Sequence, residues 1–302
     1  MKKPKISIII SSYNSCDALT SCLYALELQT LKPTEVIVVD AASTDGTEKM
    51  VKQNYPWVKF VSNKKRIGIG TAINKGIKVA TGDYICFDLN CDDLPEKACL
   101  ENLVDCLQSD KKIGIVCGKR YWGFREQDRR MARIDSLGGR MVLGIAVPYA
   151  HGSRDIGQFI DKREVGYASV ILTKKSIIDE VGLVDEEFFI YGEDVEFSLR
   201  VKNAGYKIVL EPQAQLWHQR SGTVGESSAF RLYYLSRSRL RIIFNYYFGF
   251  KKILYAISYA FGGLLIYPIY YSYLSRSFPF KYISAHITGI WWSIKRKIQG
   301  IH

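Results

Sequence analysis

Between Ser227 and His302 the chain contains no aspartate and no glutamate. The same stretch carries Arg231, Arg237, Arg239, Arg241, Lys251, Lys252, Arg276, Lys281, Lys295, Arg296 and Lys297. These side chains account for nearly all of the formal net charge of +12, so residues 1–226 are close to neutral. A nucleic-acid-binding protein places such charge along a groove or a recognition helix. Here the cations alternate with Tyr, Trp and Ile, which is too apolar for that role, and nucleic acid is not an expected partner.

Other scarcities exclude further classes. Seven cysteines, an odd number, all fall within the first 117 residues, with no CxxC pair and no Cys/His cluster. That argues against a disulfide framework or a zinc site and for free thiols in a reducing compartment. No internal repeat or low-complexity segment is visible. The N-terminal run MKKPKISIIISSYN is too short for a signal peptide, and Tyr13-Asn14 stands where a small-residue cleavage site would be needed. It reads as a first strand, with the catalytic half expected in the cytoplasm. Gly68-Ile69-Gly70 has Ile73 where the dinucleotide fingerprint needs a third glycine, so it reads as a turn into a helix. The segment SSYNSCDA lacks the Gly- and Lys/Arg-rich phosphate loop that a nucleotidyltransferase, the rival enzyme class, would carry there.

What is present is an alternation of strand and helix. Ile6–Ile10, Glu35–Val39, Val58–Val61 and Tyr84–Leu89 are apolar, β-branched runs. Between them Asp17–Gln29, Thr47 to about Asn54 and Gly70–Ala80 show helical spacing, and Pro95–Leu107 follows. Strands interleaved with crossover helices imply an α/β fold with a mostly parallel sheet flanked by helices. Ligands of such sheets bind outside the carboxyl ends of the strands. Residues 119–165 show little periodicity and read as a functional loop or lid. Beyond them, Val165–Thr173 and Lys207–Leu210 have strand character, with helices at Lys174–Val181 and Val195–Ala204. The length suggests a catalytic domain over residues 1–226 and an appendage over 227–302.

Three acidic clusters stand out. Asp40 in VIVVDAASTDGT closes a strand and can accept hydrogen bonds from a base imide or a ribose hydroxyl. The plainer reading of the following Ser43–Gly46 is a turn, with Asp45 a helix cap. Asp92 in YICFDLNCDD can ligate a hard cation, because Mg²⁺ takes one or two carboxylates and keeps several waters. Asp93 suits a helix N-cap before Leu94. Glu193-Asp194 in FFIYGEDVEF follows aromatic residues, where a carboxylate can be tuned into a general base. By spacing alone an ordinary acidic first turn is the better account. His218 beside Trp217 is by itself a packed polar residue, and His151, His286 and His302 lack supporting context.

The ordered set KISIIISSYN, VIVVDAASTDGT, INKGIKVATGDYICFDLNCDD and VGLVDEEFFIYGEDVEFSLRVKNAGYKIVLEPQAQLWHQ resembles a family 2 glycosyltransferase, in its rhamnosyltransferase-like branch, over about residues 4–245. The resemblance implies a GT-A, Rossmann-like fold. It also implies an inverting transfer from a dTDP- or UDP-sugar to a glycan or lipid-linked acceptor, assisted by Mg²⁺ or Mn²⁺. By position, Ser12 and Tyr13 would contact the base and Asp40 the base or ribose. Asn90-Cys91-Asp92 fills the D-x-D slot, so Asp92 is the expected metal contact, with His218 completing the metal or diphosphate site. Asp194 would be the base, with Glu193 beside it. Arg200 matches a recurrent arginine that is as much a structural as a donor-binding candidate. Asn90 departs from the usual aspartate and removes a charge; Asp88, two residues before it and on the same strand face, or Asp93 could compensate.

The tail holds an uncharged stretch, Ile253–Ser275, that is 23 residues long and rich in tyrosine. Length allows a span, while tyrosine and tryptophan favour the interface. Basic residues without acids suit an anionic cytoplasmic leaflet. A helical, monotopic membrane-associated region is the leading expectation. One or two membrane-spanning segments, or a soluble helical tail covering its aromatics in a homodimer, are the alternatives. A basic nucleic-acid- or membrane-binding protein without catalysis is the rival from another class.

Overall fold

The computed structural model describes residues 4–123, 132–219, 228–275 and 279–300. In chain order the elements are β1 (Ile6–Ser12), α1 (Cys16–Glu27), β2 (Glu35–Asp40), α2 (Thr47–Asn54), β3 (Lys59–Ser62), α3 (Ile69–Val79), β4 (Tyr84–Phe87), β5 (Asp93–Pro95) and α4 (Cys99–Ser109). Then come β6 (Ile113–Trp122), β7 (Arg133–Ser136), β8 (Gly139–Val142), β9 (Ile145–Pro148), β10 (Arg163–Glu164), β11 (Ile171–Lys174), α5 (Lys175–Val181), α6 (Glu193–Asn203) and β12 (Lys207–His218). Three helices close the chain: α7 (Ala229–Tyr246), α8 (Gly249–Ser275) and α9 (Phe280–Ile298). The chain divides into two compact units. One comprises Met1–Arg140, Val147–Glu187 and Glu193–Ser221; the other comprises Met141–Ala146, Phe188–Gly192 and Gly222–His302.

The first unit is built on a sheet of order β10-β12-β6-β11-β4-β1-β2-β3, with β5 on β12 and β7 on β6. The strands β3, β2, β1 and β4 run parallel, as do β6 and β12. The short β11 joins the two blocks antiparallel to both. Parallel strands covered on both faces read as continuous apolar runs, which is why β1 and β2 were plain in the sequence. Their alternate residues feed two cores. Ile9, Ile37 and Val39 lie on one face with Ile73, Ile77 and Phe197. Ile8, Ile10, Val36 and Val38 lie on the other with Leu19, Leu23, Leu103 and Leu107. Helix α3 comes so close to β1 that a Cβ on Gly76 would collide with the Ile9 side chain. The parallel-sheet α/β expectation is therefore met, with helix ends within a few residues of those read from periodicity.

Four local differences matter for the site. First, β4 stops at Phe87, and Asp88 takes φ +61°. Asp88 and Asn90 therefore do not share a strand face. Second, Asp93 is not a helix cap: it opens β5, opposite His218, and is fully buried. Third, β12 extends to His218 instead of ending at Leu210, so that histidine sits on a strand rather than in a loop. Fourth, the described part of 119–165 contains the end of β6 together with β7, β8, β9 and β10 rather than a bare loop; residues 124–131 of it lie outside the described residues.

In the second unit α8 runs antiparallel to α7 and α9. Tyr282 on α9 stacks on Tyr271 of α8, with Leu232 of α7 in the same cluster. Towards the other end, Tyr259 of α8 packs with Leu240 and Ile243 of α7 and with Ile290 and Ile294 of α9. Gly249–Tyr273 is long and apolar enough to cross a membrane by length and composition, with 12% of its most apolar window buried.

Candidate active site

The carboxyl ends of β1 and β2 meet at Ser12 and Asp40, which are register partners. The Ser12 hydroxyl is buried and has no hydrogen-bond partner among the described residues. Asp40 accepts from Ser43 twice, from its backbone N–H at 2.9 Å and its hydroxyl at 2.5 Å. Each carboxylate oxygen can accept a second bond, so Asp40 makes the turn and retains acceptor capacity. The Ser43 hydroxyl in turn accepts from Asn14 N at 2.8 Å, and Asn14 Oδ1 accepts from Thr44 N at 2.8 Å. Asp45 accepts from Thr47 and from Cys16 N, tying the starts of α1 and α2 together. It is thus a structural residue, as its turn sequence suggested. The Arg66 guanidinium lies 4.4 Å from the centre of the Tyr13 ring. Sequence reasoning passed over Arg66; its only signal was the Lys64-Lys65-Arg66 run after β3.

The second group lies beyond β4. Asn90 and Asp93 close a turn: Asn90 N–H donates to the Asp93 carboxylate at 2.8 Å, and Asp93 N–H donates to Asn90 O at 3.0 Å. The Asp93 carboxylate is gripped by both Nε and Nη2 of Arg120, at 2.8 and 3.0 Å. Arg120 comes from β6 and also lies 3.5 Å from Asp135 of β7. Asp135 receives His218 Nδ1 at 3.0 Å, while His218 Nε2 faces Asp92 Oδ1 at 3.4 Å. Burial and the Arg120 charge push the His218 pKa down, but the hydrogen bonds to Asp135 and Asp92 outweigh them and raise it. Breaking a buried bidentate pair such as Arg120–Asp93 costs about 3–5 kcal/mol. The turn carrying Asp92 is therefore rigidly mounted. Neither Arg120 nor Asp135 was legible in the sequence.

A divalent cation fits this arrangement. Asp92 offers a hard carboxylate oxygen, and the imidazole nitrogen facing it belongs to a ring whose other nitrogen is oriented by a carboxylate, the usual backing of a metal-binding histidine. No group of three or more metal-competent side chains occurs among the described residues. Asp92 and His218 would thus supply two ligands and leave the others to diphosphate oxygens and water.

The third group is carboxylic. Glu193 and Asp194 form the first turn of α6. Glu193 is 5% exposed, and its Oε2 has no hydrogen-bond partner among the described residues. Burial, then the neighbouring Asp88 and Asp194, push its pKa well above the usual carboxylate range. Asp88 is raised likewise, by burial and then by Asp194, against the opposing Arg120 charge and the Val170 N–H that it accepts. Asp88 and Val170 lie just past the β4–β11 ladder, and both have φ +61°. A left-handed valine is uncommon, and such strain collects at functional sites. The Asp194 carboxylate accepts from Val195 N–H at 2.8 Å at the helix start. The acidic turn inferred from spacing is there, and so is the crowding of carboxylates that makes it chemically unusual.

Arg200 stands apart. Its guanidinium donates to both Glu196 oxygens and to the carbonyls of Val181, Gly182 and Leu183. Those bonds use all five N–H donors. It clasps α6 to the turn after α5, the structural one of its two candidate roles, and leaves no donor for a sugar nucleotide.

Residues 7–170, more than half of the chain, match the model of the glycosyl transferase family 2. The chain belongs to that family and is a glycosyltransferase. It is 26% identical over 250 residues to the N-acetylglucosaminyl-diphospho-decaprenol L-rhamnosyltransferase of Mycobacterium tuberculosis, covering 75% of this chain and 80% of the relative. The fold is similar to that of the mannosyltransferase PcManGT from Pyrobaculum calidifontis in complex with GDP-Man and Mn²⁺. That likeness has a TM-score of 0.58 at 18% identity and covers 96% of this chain and 74% of the other. It is also similar to GalNAc-T7 with UDP, GalNAc and Mn²⁺, with a TM-score of 0.66 at 16% identity, covering 93% and 56%. The GT-A expectation holds.

Proposed function

We propose that the enzyme moves a sugar, with inversion, from a dTDP- or UDP-linked donor to a hydroxyl of a lipid-linked or glycan acceptor at the cytoplasmic face of a membrane. The observation that carries this is the division of the acids at one sheet edge. Asp92 faces a backed histidine, while Asp194 sits among crowded carboxyl groups at the start of α6. The first pair suits a diphosphate, the second a proton.

In this reading Tyr13, Arg66 and Asp40 hold the nucleoside, with the Ser12 hydroxyl as an unused hydrogen-bonding group at the strand end. Asn90 and Asp93 fix the turn that presents Asp92. Asp92 and His218 would hold a Mg²⁺ or Mn²⁺ ion, which when bound would neutralise charge on the departing diphosphate. Asp194 takes the proton from the acceptor hydroxyl as its oxygen attacks the anomeric carbon, and the bond to the diphosphate oxygen breaks in line. Burial, and then Asp88 and Asp194, raise the Glu193 pKa, which favours its neutral form beside the base. The relative from Mycobacterium tuberculosis is named for a rhamnosyl transfer to a diphospho-decaprenol-linked sugar. That name supports a deoxysugar donor and a lipid-linked acceptor, and the apolar basic tail supports a membrane location.

The test is a panel of dTDP- and UDP-sugars with Mn²⁺, read by thermal stabilisation and by release of the nucleoside diphosphate. One donor that both stabilises the protein and is slowly hydrolysed is expected. Indifference to every nucleotide sugar, with and without metal, would refute the proposal.

A further inference from the structure

The second unit has one apolar face that its own helices leave uncovered. Along α8, Phe250, Ile253, Ile257, Phe261, Leu265 and Ile269 recur at helical spacing and are between 52% and 76% exposed. The opposite side of the same helix turns Tyr259, Gly263, Tyr267 and Tyr271 towards α7 and α9, and that side is polar. The Tyr267 hydroxyl accepts from Arg239 at 2.6 Å. The ring of His286 is seated against the bare Cα of Gly263. His286 also bonds Ser236 Oγ at 2.7 Å and Ala260 O at 3.2 Å.

At 27 residues α8 is about 40 Å long, enough to cross a bilayer. Length therefore does not set its posture; its partners do. Gly263 lies at the middle of the helix. If α8 crossed, His286, Ser236 and Arg239 would sit near the bilayer centre, and α7 would carry Arg231, Arg237, Arg239 and Arg241 into hydrocarbon beside it. Four cations at that depth, on a single helix and with no acidic residue in 227–302, are costly. The exposed side of α9 is interfacial in character. Phe280 stands next to Lys281, and Trp291 shares its face with Lys295 and Ile298. Aromatics with basic neighbours mark the headgroup level.

We propose that the second unit docks side-on to an anionic lipid bilayer, with α8 lying in the plane of the interface, its apolar stripe towards the acyl chains and the lysines at the headgroups. The proposal deepens the membrane location proposed above and rests on it. Lipid is favoured over a second copy of the chain because the flanking charge is all of one sign. A self-contact of that surface would oppose like charges, whereas an anionic surface complements them.

The experiment uses the full chain with extruded vesicles of phosphatidylcholine alone or of phosphatidylcholine and phosphatidylglycerol in equal parts. Binding to the anionic vesicles is expected to be about tenfold tighter or more. It should weaken in high salt without vanishing. Depth is then read in the variants Phe250→Trp, Phe261→Trp and Tyr273→Trp, each as the difference from the parent, with lipids brominated at shallow or deep acyl positions. Equal, shallow quenching at all three positions supports the in-plane posture. Deep quenching at position 261 with shallow quenching at 250 and 273 is a span, and it overturns this proposal while leaving membrane attachment intact. Failure to bind either vesicle overturns both. Self-association that Phe261→Glu abolishes, without lipid binding, makes the stripe a contact between copies and also overturns it.

Discussion

The two units handle buried charge in opposite ways. In the first, cations are matched to carboxylates: Arg120 to Asp93 and Asp135, Lys119 to Asp155. In the second, residues 227–302 hold no aspartate or glutamate, and three arginines lie against rings or a hydroxyl. Arg237 lies 3.4 Å from the Trp292 ring centre, Arg239 bonds Tyr267, and Arg241 lies 5.7 Å from the Phe188 ring centre. Matched pairs fix geometry, as the proposed placing of a base and a diphosphate requires. Cations held by aromatic faces leave the net charge intact, as the proposed docking to an anionic bilayer requires.

That contrast can be broken in steps. The largest effect is expected at the proposed base. Asp194→Asn should lower transfer by about 10²–10⁴-fold while leaving donor binding unchanged, and near-normal turnover would remove Asp194 from the role. Next is the ion pair under Asp92. Arg120→Met leaves Asp93 buried without its partner and should cost about 3–5 kcal/mol in a denaturant titration. By comparison, Arg237→Met in the second unit should cost about 0.5–2 kcal/mol, the range of a cation–π contact. Equal costs would erase the distinction between the units.

A smaller effect concerns the crowded acids. Glu193 and Asp88 have raised pKa values in the folded state, so the folded protein holds more protons than the unfolded chain once pH exceeds the ordinary carboxylate value. Stability from these groups is therefore greatest at low pH and falls as pH rises towards the folded pKa values. Glu193→Gln removes that loss. It should raise the melting temperature at neutral pH by about 2–4 °C, while activity does not improve. A variant less stable than the parent at pH 7 but not at pH 4 would contradict the sign.

Much of the fold was legible because buried parallel strands announce themselves: Ile6–Ile10 and Glu35–Val39 were read almost to the residue. The site was legible only where chemistry follows a strand end. Asp40 stands at its strand end, as strand-end reasoning put it, whereas Asp92 lies in the turn before β5, five residues past the end of β4. Glu193-Asp194 looked like an ordinary first turn, because a helix start accepts acids for its dipole alone. Only burial and the charge of Asp88, more than a hundred residues earlier, make it unusual. Arg120 and Asp135 escaped for the same reason: their meaning is a pairing across β5, β6 and β7 that no local pattern encodes. Asp88 was placed on a strand face because nothing in YICFDLN signals the left-handed turn at that residue. Arg200 shows the converse: a motif position filled by a structural clasp.

The most direct test of the account is calorimetric titration of dTDP and UDP, in the presence of Mn²⁺, into the parent, His218→Ala and Asp194→Asn proteins. The division of labour predicts that one nucleotide binds the parent and Asp194→Asn equally, and binds His218→Ala about tenfold or more weakly. Loss of binding in Asp194→Asn with full retention in His218→Ala would contradict it.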